Sequence, residues 1–275
     1  MSESILVTRL DGTTYNLDDL GIRVISFDPP SPNYQYTFTQ IHERKATLTD
    51  TQIQQTTAPL VVQVKSKNVY DYELMRQRVL KIFASYEDFY ITNMRIPTIR
   101  WKVRAEAFEF TRLSNFWFTQ PITINLVYGE GFAESVFSTA DNNFKVPRSD
   151  MSWGLGIPSD EDISYSFSNQ ESFNVWNLGH IPLYADERPV LFEFSGDVDS
   201  KLTIKNKTTN QTFEFNKGLN NGQKLQIYGI KPVLDGVSAF KDSNHAYLDL
   251  AVGKNDFTVS GASNWNIKVT TKFYY

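Results

Sequence analysis

Apolar and polar positions alternate most clearly from Ile99 to Ala107. Ile99, Trp101, Val103, Ala105 and Ala107 fall on one side, and Arg100, Lys102, Arg104 and Glu106 on the other. Period two with one apolar and one charged face predicts a half-buried strand. After Ala107 the phase flips, with Phe108 and Phe110 apolar, and a β-bulge or bend there would account for it. Leu60, Val62 and Val64 alternate in the same way with Gln63, Lys65 and Lys67, as do Ile122, Ile124, Leu126 and Tyr128 along their own segment. One segment has a different period. Val69, Tyr72, Met75, Val79, Ile82, Phe83 and Tyr86 recur at helical spacing, predicting a helix over about 68–86. Asn68 suits its N-cap and Asp71 its first turn, where negative charge is favoured. The stripe needs an apolar partner, most simply a sheet.

Residues 28–36, with Pro29, Pro30 and Pro32, read as a loop; residues 41–58 are polar, Thr/Gln-rich and weakly periodic, and predict a mobile loop or protruding hairpin. From about Ala133 to Pro158 periodicity dissolves among polar residues, Pro147, Gly154, Gly156 and Pro158, predicting a linker. Beyond residue 163, short strands are predicted at Val190–Phe194, Lys201–Asn206, Thr212–Phe215, Lys224–Tyr228, Ala246–Leu250, Asp256–Val259 and Trp265–Thr270, separated by turn residues. This spacing predicts a β-sandwich. The expected organisation is a mainly β chain: a β-rich domain with one helix over 1–135, a linker over 136–162, and a β-sandwich over 163–275.

Composition strengthens the strand reading. The 275 residues include 20 Phe, 14 Tyr and 5 Trp, which favour pleated, half-buried surfaces. Net charge is −4 and evenly spread: residues 1–135 carry 14 basic and 15 acidic groups, and residues 136–275 carry 13 and 16. Neither half has the basic footprint of a nucleic-acid-binding domain. With no cysteine, disulfides, thiolate metal sites and thiol nucleophiles are excluded, which fits folding in a reducing cytoplasm. Met1-Ser2-Glu3-Ser4 opens no basic-then-apolar leader, and no apolar run approaches the ~20 residues of a membrane span.

Candidate chemistry is sparse. His42, His180 and His245 lack metal-ligand spacing, and no Walker A, GxGxxG or GxSxG motif occurs. Gly154-Leu155-Gly156 lacks both a third glycine and a preceding strand. Gly196-Asp197-Val198-Asp199 lacks the later ligands of a calcium loop and reads as an acidic turn. Asp160-Glu161-Asp162 is a solvated cluster rather than two carboxylates facing each other across a cleft. Arg95, Arg100, Lys102, Arg104 and Arg112 form a local basic stripe, diluted by Glu106 and Glu109 and read as a solvent- or subunit-facing strand side. The sequons at Asn206 and Asn210 fall in a turn. Trp265 alternates with Ile267 and Val269 and reads as core, whereas Trp153 and Trp176 stay candidates for stacking on sugar. No catalytic, cofactor-binding or metal-binding residues are assigned.

Two stretches resemble a known family. The first comprises Tyr72–Phe83 (YELMRQRVLKIF), Phe89-Tyr90-Ile91, the strand Arg100–Phe110, and Pro121–Leu126. The second comprises Arg188–Gly196 (RPVLFEFSG), Leu202–Asn206, Leu225–Ile227, Leu248–Asn255 with its late Leu…Gly-x-Asn, and Trp265–Val269. In order and spacing these are similar to the ring domain and C-terminal sandwich of siphophage distal tail proteins. The polar 41–58 segment departs from that family's more Gly-rich hairpin region, which lies at an inter-subunit contact. The resemblance implies a structural protein without enzymatic activity or cofactor, made in the bacterial host cytoplasm and placed at the virion tail tip. It implies a homo-hexameric ring joining the tail tube protein to a tail-associated tip protein. A galectin-like or carbohydrate-module-like second domain would hold receptor-binding or adsorption proteins during host attachment. A host-surface glycan is a further candidate partner, while no membrane and no sequence-specific nucleic acid is implied. The charged face of Arg100–Glu106 and the helix surface are candidates for the ring interface or the lumen. The competing readings are a carbohydrate-binding adhesion module and a polysaccharide-degrading enzyme.

Overall fold

A computed structural model describes residues 4–40, 42, 45–113, 119–141, 163–220 and 222–275. Trp153, Gly154-Leu155-Gly156 and Asp160-Glu161-Asp162 lie outside the described residues. The chain divides into two compact units, Met1–Glu134 and Ser135–Tyr275.

In the first unit the elements run β1 (Ile5–Arg9), β2 (Thr14–Asn16), β3 (Ile22–Phe27), β4 (Asn33–Thr39), β5 (Thr47–Gln54), β6 (Thr56–Val64), α1 (Val69–Ile82), β7 (Phe89–Asn93), β8 (Ile99–Ala105) and β9 (Ile122–Tyr128). An antiparallel sheet has the order β2-β1-β7-β8-β9-β6-β3, while β4 and β5 pair only with each other. Strict alternation along β6 and β9 buries Leu60, Val62 and Val64 beside Ile122, Ile124 and Leu126. Helix α1 covers this core with Met75, Val79 and Ile82. Burying these three side chains stabilises the unit by roughly 5–8 kcal/mol as an upper bound.

Asn68 caps α1 as the sequence predicts. Its side chain accepts from the Asp71 N–H at 2.9 Å, and Asp71 accepts from the Lys67 N–H at 2.8 Å. The helix ends at Ile82, short of Tyr86, and side chains take the carbonyls just past its end. Arg9 donates to the Ala84 carbonyl at 2.7 Å, and Ser85 Oγ donates to the Phe83 carbonyl at 3.0 Å while accepting from the Ala105 N–H. The phase flip after Ala107 is not a bulge. Strand β8 stops at Ala105, and the irregular chain that follows lays Phe108 against Phe83 and Phe110 against Tyr72, with ring centroids 6.2 and 5.4 Å apart.

The second unit contains two antiparallel sheets. One has the order Ser166–Ser168, Ser263–Thr270, Leu191–Asp197, Leu225–Tyr228, Lys231–Leu234, Val237–Ser238; the other has Ser172–Asn177, Gly253–Ser260, Leu202–Asn206, Gln211–Phe215. Their inward side chains, among them Phe192, Phe194, Phe213, Phe257 and Ile267, share one core. Ser135, Phe137 and Thr139 belong to this unit: Thr139 donates its N–H to the Thr271 carbonyl at 3.0 Å, and Phe137 packs on Phe273. The predicted strand Ala246–Leu250 is irregular apart from a bridge between Leu250 and Leu183. Side-chain bonds hold it instead, with Asn244 donating to the Thr212 carbonyl and Asp249 accepting from the Ala185 N–H and from Gln211.

Three sequence features behind the family resemblance are clamps in this unit. Asn255 is fully buried; it accepts from the Ala251 N–H at 2.9 Å and donates to the Ala251 and Gly253 carbonyls at 2.8 and 3.1 Å. Asn206, also fully buried, donates to the Asp249 carbonyl and accepts from the Thr208 N–H. At Gly196 the backbone passes so close to Trp265 that a Cβ would lie 2.5 Å from the Trp265 Cβ, so only glycine fits.

Candidate assembly surface

Strand β4 alternates Tyr34, Tyr36 and Phe38 with Gln35, Thr37 and Thr39. Opposite it, Tyr34 pairs with Ile53, Tyr36 with Thr51 and Phe38 with Leu48, the register shifting at Thr37/Phe38. Cross-strand partners share a face. One side of the hairpin therefore gathers Tyr34, Tyr36, Phe38 and Leu48. The other side is polar and bonded within itself: Thr49 Oγ1 donates to the Thr37 carbonyl at 3.0 Å, and Gln52 donates to Asp50 at 2.8 Å.

The apolar side is open. Tyr34, Tyr36, Phe38 and Leu48 are exposed by 40%, 55%, 61% and 48%. Tyr34 and Tyr36 stack at 6.3 Å, which stiffens the face without covering it. An isolated two-stranded hairpin is marginal in water, so this one depends on its base. There the Asn33 N–H donates to Thr56 Oγ1 and the Tyr128 hydroxyl to the Pro30 carbonyl, both at 3.3 Å. Ile53 seats against Gly131, where a Cβ would come within 2.6 Å of its side chain. A projecting hairpin with one uncovered aromatic face marks an association surface.

The basic stripe proves to be charge-balanced along β8. Arg100 bonds Glu134 at 2.6 and 2.8 Å and lies 3.7 Å over the Tyr90 ring. Lys102 lies 3.5 Å from Asp88 and 4.0 Å from Glu130, and Arg104 bonds Asp88 at 2.5 Å. The Arg104 hydrogen bond, with its charge and that of Lys102, holds the Asp88 carboxyl below the usual range against a modest burial penalty. A strand face neutralised in this way gives no strong attraction for phosphate. At the end of β1, Arg9 is almost fully buried; it pairs with Glu87 at 3.0 Å and lies over the Tyr86 and Phe89 rings.

The remaining candidates are scattered. His42 adopts a left-handed backbone, His180 meets Tyr275 edge-on at 5.1 Å, and His245 stacks on Phe240 at 4.2 Å. Among the described residues, no three His, Asp or Glu side chains converge as a metal-binding group. Trp265 is core, between Phe173 and Phe194, and Trp176 is half-buried against the same cluster. Asn206 is too deeply buried and bonded to serve as a sequon acceptor. Asp197 ends a strand at a bulge, where it accepts from Asn264 at 3.2 Å. No helix among the described residues is long and apolar enough to cross a membrane.

Residues 10–128 match the family model described as phage tail protein RIFT-related domain, a span that runs from β2 to β9 and includes the hairpin and α1. Across solved structures, the chain has the fold of the SPP1 Dit (gp 19.1) protein, itself described as a paradigm of the hub adsorption apparatus in phages infecting Gram-positive bacteria. The TM-score is 0.65 at 12% identity, over 98% of this chain and 99% of that one. A chain of the phage p2 baseplate in its activated conformation with Sr also aligns, with a TM-score of 0.45 at 10% identity over 98% of both. No curated protein sequence matches the chain. The family match and the SPP1 Dit fold bear out the resemblance to siphophage distal tail proteins drawn from the sequence.

Proposed function

We propose that this chain is a structural, non-enzymatic hub of a siphophage tail tip. In this reading the first unit, residues 1–134, forms a ring of six copies at the end of the tail tube. Residues 163–275, a galectin-like sandwich, face outward and hold tail-tip and receptor-binding proteins. The chain acts by positioning partners, as a baseplate component of the virion.

The observation that carries the reading is the uncovered aromatic face of the hairpin, within the span that matches the tail domain. A ring closes when one heterologous interface repeats around an axis, so each copy must offer a projecting surface and a receiving one. The hairpin is the projecting surface. The charge balance of β8 supports a face that tolerates burial beside neighbouring copies or the ring lumen. In the second unit, the packing of Trp265 and Trp176 supports a structural role over sugar stacking, so docked proteins rather than a glycan are its first-choice partners. Antibodies raised against the chain should label the distal tip of tails in intact particles. Label confined to capsids, spread along the tube or absent from particles would sink the proposal.

A further inference from the structure

The four-stranded sheet of the second unit ends on one side in the strand Gln211–Phe215. The outer backbone groups of an edge strand are a template for pairing with another chain. This edge carries none of the usual protections. It has no Lys, no Pro and no bulge, and it pairs in unbroken register with Leu202–Asn206. Its outward groups are taken instead by a later piece of chain. The Asn216 N–H donates to the Asp242 carbonyl at 2.7 Å, and the Asn244 N–H donates to the Glu214 carbonyl at 3.0 Å. Between them the Asn244 side chain accepts from the Glu214 N–H at 3.0 Å and donates to the Thr212 carbonyl at 2.9 Å. One side-chain amide thus stands in for the next residue of a paired strand. The covering segment does not continue as a strand: it makes a single bridge, Ser243 to Phe215, and turns away. That turn is held within itself. Ser243 Oγ donates to the Phe240 carbonyl at 2.7 Å, and His245, in left-handed backbone, stacks on the Phe240 ring at 4.2 Å.

We infer that Asp242–Asn244 is an edge guard, an autoinhibitory contact that keeps this sheet from pairing with the second unit of another copy of the chain. Without it, Thr212 and Glu214 would offer a row of free N–H and C=O groups on a regular strand rich in Thr and Phe, the kind of edge that adds a strand from a neighbour. A second strand in the guard's place would only move the open edge outward. A side-chain amide satisfies the same groups and ends the ladder. The guard belongs to the single chain and does not depend on the ring. Its consequence rests on the ring reading above. Copies held at one hub meet at effective concentrations on the order of millimolar, where an open edge would pair second units with each other instead of leaving them free for partners.

The test uses the full chain carrying Tyr36→Ser and Phe38→Ser, so that the hairpin face plays no part and new association is scored against this parent. Into it go Asn244→Ala and, as the milder opening, Asn244→Ser. Both should keep the near-UV circular dichroism of the parent. In the dilute monomer the Glu214 amide should exchange with deuterium roughly tenfold faster than in the parent. At tens of micromolar both variants should gain mass in sedimentation velocity while the parent does not, and the Glu214 amide should regain protection in the associated species. Asn244→Asp keeps the acceptor for the Glu214 N–H and sets a charge on the edge, so it should behave as the parent. Folded variants that expose Glu214 yet never associate overturn the guard. Association that leaves Glu214 exchanging fast places the contact elsewhere and overturns it as well. Loss of the fold in both the alanine and the serine variants makes the segment a structural tie alone, and the inference falls. A chain that stays monomeric with its hairpin face intact counts against the ring reading and leaves the guard standing.

Discussion

Replacing Asn255 with Ala tests whether the late Leu…Gly-x-Asn segment is a structural clamp. The side chain is fully buried and makes three bonds to the backbone of residues 251–253, as well as accepting from Asn206 at 3.3 Å. Alanine leaves the Ala251 N–H, the Ala251 carbonyl and the Gly253 carbonyl without these partners. At about 1 kcal/mol per net hydrogen bond, and more for each group left dry, the expected loss is ~3–4 kcal/mol. Asn255→Asp separates donation from packing. The carboxylate still accepts from Ala251 but turns negative oxygen toward two carbonyls, so at pH 7 it should cost at least as much as alanine. Its folded pKa would be raised. The folded state then binds the proton more readily, and part of the loss returns as pH falls toward 4. Urea unfolding of the full chain, followed by near-UV circular dichroism, reads these differences. A loss below about 1 kcal/mol for Asn255→Ala, or an aspartate variant equal to the parent at pH 7, would refute the clamp.

Gly261→Ala should destabilise the second unit by ~2 kcal/mol or more, because φ is +82° and the new Cβ would lie 2.0 Å from the Lys201 carbonyl oxygen; thermal melts check it. Asp88, held low by Arg104, should contribute stability present above the ordinary aspartate pKa and lost as pH falls through the lower folded value. The pair is solvent-screened, so Arg104→Ala should remove no more than ~1 kcal/mol and flatten the acid limb of a stability–pH profile. Tyr36→Ser with Phe38→Ser should leave the melting temperature of the monomer nearly unchanged while abolishing assembly in sedimentation velocity, since both rings are mostly exposed in a single copy.

Elements built from uninterrupted periodicity were legible in the sequence. The stripe from Val69 to Ile82 located α1, and the alternation from Ile99 located β8, because each pattern spans several repeats and faces one core. The ends were not legible. The turn just past α1 is held by Arg9, 75 residues away in sequence, reaching the Ala84 carbonyl. The end of β8 depends on Phe108 and Phe110 finding α1 rather than the sheet.

The candidate surface was half visible. A protruding hairpin was expected over 41–58, but its aromatic strand begins at Tyr34, inside a segment whose prolines read as loop. The alternation Tyr34, Tyr36, Phe38 was present, and Pro29, Pro30 and Pro32 outweighed it. The prolines mark the passage from β3 to β4, before the strand, where a missing N–H costs no ladder bond. The basic stripe looked like a patch because Asp88, Glu130 and Glu134 neutralise it from other segments. The segment from Ala246 to Leu250 looked like a strand because its apolar spacing is right. Its backbone is instead held by side-chain amides, Asn206 donating to the Asp249 carbonyl, Gln211 accepting from the Asp249 N–H and Asn244 accepting from the Ala246 N–H, which no local pattern records.

The proposed ring is tested most directly by the mass of the purified full chain in solution across micromolar concentrations. Native mass spectrometry should find a closed species at six times 31.6 kDa, about 190 kDa, with no open ladder of larger oligomers, as a heterologous contact whose rotation closes at six copies requires. A chain that remains at 31.6 kDa throughout, or stops at a dimer, would contradict it.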